Sequence, residues 1–144
     1  MKTFRSIALG LAILVSGSTV YAAGVTHHEI SKDEVVGTYI NAIVHGSNLK
    51  DADQAIADDA QFYTIRGTGT RVDALTKKQV MDYLKSNAGL NENCECTSTM
   101  LKDDDNTFVE KVQMKYKTVT RTDVITAERD GNDWKITKVE TSYK

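Results

Sequence analysis

The sequence predicts an α+β domain in which three helices and an early hairpin precede four antiparallel strands. Within Thr107–Thr118, apolar residues occupy one parity and lysine or glutamine the other, which is the period of a strand with one buried face. Within Val35–Val44, apolar residues recur instead at helical spacing. A twisted sheet needs a cover on its apolar face, and we expect the helices to provide it and to enclose a cavity.

The N-terminal 23 residues have the pattern of a secretory signal peptide. Lys2 and Arg5 precede the apolar run Ile7–Val15, and small residues end the segment at Ala22 and Ala23. The run is too short to span a bilayer, so we expect an exported protein, periplasmic or secreted, that is not embedded in a membrane. Residues 24–30 are then predicted to be a flexible arm and residues 31–144 the domain.

The charge of the chain argues against nucleic acid as a partner. The formal net charge is −2, and it becomes −4 if Lys2 and Arg5 leave with the signal peptide. The lysines are scattered, with no basic run of the kind that follows a phosphate backbone.

The first helix begins at a capping box, in which Ser31 and Glu34 have the spacing to reach each other's backbone amides. Its apolar stripe continues to about His45. A glycine follows directly, as is typical of a helix end, and a second, shorter helix is predicted near Leu49–Ala57.

A hairpin and a third helix are predicted next. Ala60–Arg66 and Thr70–Leu75 have strand composition and are joined by a glycine-rich turn. Thr76 and Gln79 form a second capping box, which opens a helix that ends near Ser86.

Four strands complete the domain. The first is predicted at Cys94–Leu101, and the other three at Thr107–Thr118, Val119–Arg129 and Asp133–Tyr143. The Asp-Gly-Asn sequence at residues 130–132 supplies the residues of a tight hairpin turn between the last two.

The two cysteines, Cys94 and Cys96, have C-x-C spacing within a predicted strand. Residues two apart project to the same side, but a disulfide between them requires distortion. We expect small buried residues here, with a bridge between two chains as the alternative. The acidic turn 103–106 lacks the spacing of a calcium loop, and we expect neither a metal nor a cofactor.

A family resemblance rests on four stretches: the helix Val35–Gly46, Asp58–Phe62, Thr122–Asp123 and Gly131–Ile136. With the order of elements, they resemble the nuclear transport factor 2-like superfamily, and within it the small bacterial domains named SnoaL-like or for lumazine binding. The resemblance implies a cone-shaped fold, with a curved antiparallel sheet and about three helices packed over its concave face. Relatives often carry His-Pro-Asp-Ala before the first strand, whereas Ala57–Ala60 lacks both the histidine and the proline.

Strand parity identifies polar residues on the inward face. Glu110 shares the parity of Phe108, and both Arg121 and Asp123 share the parity of Ile125. The resemblance implies that a buried carboxylate on such a strand moves a proton, and Asp123 is the catalytic candidate. Glu110 is expected to be a partner carboxylate or to pair with Arg121. The alternative is structural, with Asp123 paired to Arg121 or solvated beyond the sheet edge.

Four aromatic residues are candidates for the walls of a ligand site: Tyr39, Phe62, Tyr83 and Trp134. Together with Glu110 and Arg121 they form the predicted ligand-binding set, although each aromatic residue also suits a plain core. We expect a module that binds a small apolar or aromatic ligand or that associates with a partner. The alternatives are a small isomerase, dehydratase or cyclase with a carboxylate base, and a homodimer formed through the sheet.

Overall fold

The computed structural model describes residues 28–144, and the predicted signal peptide lies outside the described residues. The elements are α1 (Lys32–His45), α2 (Leu49–Ala55), β1 (Ile56–Arg66), β2 (Thr70–Thr76), α3 (Lys77–Ser86), β3 (Glu95–Asp103), β4 (Thr107–Lys115), β5 (Thr120–Asp130) and β6 (Asp133–Tyr143). None of the helices among these residues is long and apolar enough to cross a membrane.

The six strands form one curved, unclosed sheet in the order β2-β1-β6-β5-β4-β3. All neighbouring pairs are antiparallel except β1 and β6, which are parallel. This topology makes β5 and β6 central strands, while β2 and β3 are the edges. The three helices pack against the sheet, so the predicted α+β cone is confirmed.

The core lies between the helices and the inward face of the sheet. The largest fully buried side chains of the described region include Tyr39 from α1 and Phe108, Met114, Ile125 and Ile136 from three strands. Tyr39 is buried because the apolar stripe of α1 faces the sheet, as helical spacing predicts.

Both capping boxes are present. The Ser31 amide donates to Glu34 Oε2 at 3.1 Å, and the Thr76 amide donates to Gln79 Oε1 at 2.9 Å. These contacts satisfy amides that have no partner within the first turn of a helix, which explains why α1 and α3 begin where they do.

Gly46 ends α1 in a left-handed conformation with φ of 56°. A Cβ atom at this position would lie 2.7 Å from both the Asn87 carbonyl oxygen and the Gly89 nitrogen, so only glycine fits. The Gly89 amide donates to the Gly46 carbonyl at 3.0 Å. The loop after α3 is thereby held against the end of α1.

The residue expected to end the flexible arm, Ile30, packs into the core instead. Its side chain is buried, its amide donates to Asp133 Oδ1 at 2.9 Å, and its carbonyl accepts from the Trp134 amide at 3.0 Å. An apolar side chain next to a helix start gains more from burial than from solvent, so the packed domain includes this residue.

Candidate ligand-binding cleft

A cleft of about 300 Å³ opens between the helices and the sheet. Its walls come from α1, α3 and the strands β1, β2, β5 and β6. The lining residues are Tyr39, Ile43, Phe62, Tyr63, Thr64, Asp73, Leu75, Val80, Tyr83, Leu84, Arg121, Thr141 and Tyr143. Most of these side chains are apolar or aromatic, and Arg121 contributes the one arginine among them.

Arg121 is held at the cleft by a two-pronged ion pair with Asp123. Arg121 Nε donates to Asp123 Oδ1 at 2.9 Å, and Arg121 Nη2 donates to Asp123 Oδ2 at 2.8 Å. The Asp123 side chain is fully buried, and that of Arg121 is 17% exposed. Residues two apart on a strand project to the same face, which is why both side chains of β5 meet here.

Thr141 gives the Asp123 carboxylate a third hydrogen bond. Thr141 Oγ1 donates to Asp123 Oδ1 at 2.8 Å. The contact follows from the register of the sheet, because Asp123 on β5 lies directly beside Thr141 on β6, and Thr141 in turn lies beside Thr64 on β1. Both oxygens of Asp123 are therefore engaged by the protein itself.

Tyr39 covers this ion pair from the helix side. Burial raises the pKa of the Tyr39 hydroxyl well above its ordinary value, and the nearby Asp123 charge raises it further. A hydrogen bond with Arg121 opposes both effects. The Tyr39 ring lies 6.2 Å from the Phe62 ring between centroids. The hydroxyl thus stays neutral at physiological pH and joins the polar end of the cleft.

Arg121 keeps its positive charge despite its burial. Burial acts to lower the pKa of its guanidinium, but the adjacent Asp123 charge and the contact with Tyr39 outweigh it, and the pKa is raised. Because the carboxylate neutralises the guanidinium, the polar end of the cleft carries hydrogen-bond donors without a net charge.

The mouth of the cleft is apolar and exposed. Leu75 is 40% exposed, Tyr143 56% and Tyr83 61%. These three residues come from β2, β6 and α3, and all of them line the cleft. Large apolar side chains that converge on an opening are typical of a surface that a ligand covers.

The predicted site residues divide between this cleft and other places. Tyr39, Phe62, Tyr83 and Arg121 line it. The catalytic candidate, Asp123, lies behind Arg121 and contacts the cleft through that side chain and Thr141. The structure thus brings together four of the six predicted ligand-binding residues and the carboxylate.

The structure places Trp134 and Glu110 elsewhere. The Trp134 ring packs 5.2 Å from the Phe108 ring, under the Lys32 ammonium. Trp134 and Thr141 are on the same strand, but seven residues separate them, or roughly 23 Å at strand spacing. Glu110 is half-buried between neighbouring strands, opposite Ile125 on β5. Parity assigned Glu110 to a face of the sheet but not to a position along it.

The polar lining residues absent from the predicted set include two on β6, Thr141 and Tyr143. The signal was available, because both continue the parity of the buried Val139 along β6. A threonine on an inward face opposite an inward aspartate is expected to donate to it, since the carboxylate otherwise lacks partners.

The arrangement is suited to binding a hydrogen-bond acceptor. An arginine has five N–H donors, of which Asp123 accepts two, so donors remain for the Tyr39 hydroxyl and for a ligand. The aromatic walls can enclose a flat apolar body. With both carboxylate oxygens occupied, Asp123 acts here by fixing the orientation of the Arg121 guanidinium.

Together these features define a cone-shaped α+β protein with an aromatic cleft that ends in a buried ion pair. No protein-family model matches the chain, and no curated protein sequence matches it. Solved structures do match its fold. A nuclear transport factor 2-like protein of unknown function from Silicibacter pomeroyi superposes with a TM-score of 0.59 at 13% identity, covering 76% of this chain and 88% of that one.

Two further matches have the same architecture. A nuclear transport factor 2-like protein of unknown function from Methylobacillus flagellatus has a TM-score of 0.57 at 18% identity, over 80% of this chain and 95% of that one. A candidate ketosteroid isomerase from Parabacteroides distasonis has a TM-score of 0.54 at 14% identity, over 78% and 86%. The chain therefore has the nuclear transport factor 2-like fold, as the sequence resemblance predicts.

Proposed function

We propose that this protein binds a small, neutral molecule with a flat apolar body and a carbonyl-type acceptor. The body occupies the cleft between Tyr39, Phe62 and Tyr83, and the acceptor reaches the guanidinium of Arg121. The observation that carries the proposal is the buried Arg121–Asp123 pair at the end of a cleft with mostly apolar and aromatic walls.

The energetics of a buried ion pair support a functional role. Removing both charges from water costs several kcal/mol for each ion, and well-packed apolar residues would stabilise the fold equally or better. A protein that keeps such a pair beside an open cleft retains donors that apolar residues would not supply. The fixed guanidinium is therefore best explained as a recognition group.

The size of the cleft limits the ligand. At about 300 Å³ it lies at the small end of the range found for small-molecule sites. A ligand of one to three fused rings fits this space, whereas a long acyl chain or a peptide does not. Aromatic side chains on the walls favour a planar ring system, because offset stacking adds to simple burial.

Charge balance favours a neutral ligand over an anion. Asp123 already neutralises Arg121, so a bound carboxylate would leave one uncompensated negative charge in a partly buried site. A carbonyl group accepts the same hydrogen bond without this cost.

A series of three probes with the same ring tests the proposal: a naphthyl methyl ketone, naphthoic acid and an alkyl naphthalene. We expect calorimetry to rank the ketone as the tightest binder at pH 7, because it alone combines an acceptor with neutrality. Native mass spectrometry of the purified protein adds a search for a bound natural ligand.

The matched control is the double variant Arg121→Met with Asp123→Leu. It exchanges the ion pair for apolar residues, a change that is often tolerated by a fold. We expect it to remain folded and to bind the ketone and the hydrocarbon equally. Equal affinity for both probes in the wild type, or a preference for the acid, would contradict the proposed recognition.

Proton transfer by Asp123 is a second candidate function. One observation in its favour is that the Asp123 carboxylate is fully buried and contacts residues that line the cleft. A second is that one of the structures with a similar fold is a candidate ketosteroid isomerase. In that case Thr141 and Arg121 would have to release one oxygen when substrate binds. The test is hydrogen exchange at the carbon next to a bound ketone, with Asp123→Asn as the inactive variant.

We also propose that the protein is exported. The proposal rests on the charged, apolar and small-residue pattern of the first 23 residues. Expression of the full chain followed by fractionation and N-terminal sequencing tests it. A mature protein that begins after Ala22 or Ala23 is expected, and an uncleaved cytosolic protein would contradict it.

A homodimer formed through the sheet remains part of the proposal. All nine residues of β3 are exposed, including Met100 and Leu101 at 46% and 53%. An edge strand with exposed apolar residues is a surface that a second copy can cover. Light scattering of the purified protein tests it, and a monomer at high concentration would exclude this interface.

A further inference from the structure

A pair of cysteines lies where the chain enters the edge strand β3, outside the residues that line the cleft. Cys94 and Cys96 are both free thiols, and their Sγ atoms are 3.4 Å apart. We propose that they form a redox-active dithiol, which closes into an intramolecular disulfide by exchange with low-molecular-weight disulfides.

The backbone at the start of β3 permits the two sulfur atoms to converge. The ladder between β3 and β4 begins at Glu95, opposite Lys115, so Cys94 lies just before it and is not held as a strand residue. The distortion expected from C-x-C spacing is thereby taken up in the preceding loop. Bond formation brings the sulfur atoms closer by about 1.4 Å, to the length of an ordinary disulfide.

The two thiols differ in their access to solvent. Cys96 is exposed, while Cys94 is half-buried and packs against the core. Because β3 is at the edge of the sheet, a small disulfide can approach Cys96 without opening the fold. The half-buried neighbour then lies within reach as the resolving thiol.

The exchange balances in two steps. The thiolate of one cysteine attacks the disulfide of the small molecule, forms a mixed disulfide and releases one small thiol. The second cysteine, as a thiolate, attacks the protein sulfur of the mixed disulfide and releases the other small thiol. One sulfur–sulfur bond breaks and one forms, two protons pass to the released thiolates, and the two electrons reduce the small disulfide.

The rate of exchange is limited by the supply of thiolate. Partial desolvation by the surrounding protein raises the pKa of the Cys96 thiol to about 11 although the residue is exposed, and its hydrogen bond with Cys94 adds to the shift. Since only the thiolate attacks, exchange is expected to be slow at neutral pH. The experiment therefore uses long incubation at about pH 8, where small thiols and disulfides exchange readily.

The test is incubation of the reduced protein with oxidised glutathione, followed by acid quenching and intact mass measurement. The wild type is expected to lose the mass of two hydrogen atoms and to carry no glutathione. The variants Cys94→Ser and Cys96→Ser each keep a single thiol, so their mixed disulfide has no second thiol to resolve it and one glutathione is expected to be retained. We expect the retained fraction to differ by at least about tenfold, because the second thiol is held at high effective concentration.

Three results would overturn the proposal. They are a wild type that keeps glutathione to the same extent as the single-cysteine variants, a wild type that forms disulfide-linked dimers, and a wild type whose mass does not change at all. Both serine variants alter only one thiol outside the centre of the core, so circular dichroism is expected to show an unchanged fold. Dithiothreitol should restore the original mass of the oxidised wild type.

Discussion

Two ion pairs in this protein have similar distances between their charged atoms but differ in how far their side chains are exposed to solvent. Lys78 and Asp82 on α3 are 2.6 Å apart, while Arg121 and Asp123 on β5 are 2.8 Å apart. The side chains of the α3 pair are 84% and 55% exposed, and those of the β5 pair are 17% and 0% exposed. Burial, and not length, therefore decides how much each pair contributes.

The two pairs differ in how far water can replace the partner of each ion. On α3, water screens the charges and each ion is solvated without its partner. On β5, the Asp123 carboxylate is shielded from water, because the sheet, α1 and Thr141 surround it. The buried pair is rigid and specific for that reason, and the cleft opens beside it.

Asp123→Asn is expected to have the largest effect. The variant keeps the size of the side chain but leaves the Arg121 charge uncompensated, at a cost of about 3–5 kcal/mol in the free energy of unfolding. Urea denaturation followed by circular dichroism measures this loss. A change below about 1 kcal/mol would show that the pair is solvated, contrary to the structure.

Thr141→Val is expected to have the second-largest effect on stability. It removes one of three hydrogen bonds to Asp123 and leaves both bonds from Arg121, so we expect a loss of about 1–2 kcal/mol in the free energy of unfolding. Thr137→Val, at a half-buried position on the same strand, is the matched control, and we expect its effect to stay within about 0.5 kcal/mol. Equal effects in the two variants would mean that the Thr141 hydroxyl does not stabilise the carboxylate.

The residues of the buried pair were predictable from the sequence, but the cleft was not. Strand parity placed Arg121 and Asp123 on one face, and helical spacing turned Tyr39 towards them. The position of Thr141 depends on the register between β5 and β6, and the mouth depends on how α3 packs on the sheet. Both are set by long-range packing, which a local period does not encode.

Trp134 illustrates the same limit. As a candidate for the wall of a ligand site it was expected to face inward, and its side chain is buried. Parity does not give depth along a strand, however, and Trp134 lies near the start of β6 while the cleft lies near its end. The types and order of the elements followed the sequence, whereas β1 begins at Ile56, inside the segment predicted as the end of the second helix. The composition of the site is a property of the assembled sheet.

Alkaline titration of Tyr39, which covers the buried ion pair, is a further way to distinguish this region from the surface. The pKa of Tyr39 is raised in the folded protein, by burial first and then by Asp123, so the unfolded state loses this proton at lower pH. Stability linked to Tyr39 is complete below pH of about 10 and falls as the pH rises above it. Ultraviolet absorbance of tyrosinate is expected to rise together with unfolding.

The variant Tyr39→Phe tests the assignment. It removes the proton that the unfolded state releases, so its stability should decline less steeply above the same pH. Tyr116 also has a raised pKa, chiefly through burial and a hydrogen bond with Glu92, and Tyr116→Phe serves as the comparison. An identical alkaline profile in the wild type and Tyr39→Phe would contradict a buried neutral hydroxyl.

Lys78→Ala is expected to have the smallest effect, too small to resolve by urea denaturation at neutral pH and moderate salt. The Lys78 hydrogen bond lowers the pKa of Asp82, so any stabilisation is present above the unfolded pKa of the carboxyl and disappears as the pH falls through the lower, folded value. The difference between the variant and the wild type should therefore be largest at low salt near neutral pH. Both side chains are exposed, so each ion keeps its hydration when the other is removed. A loss as large as that of Thr141→Val would show that exposure does not distinguish the two pairs.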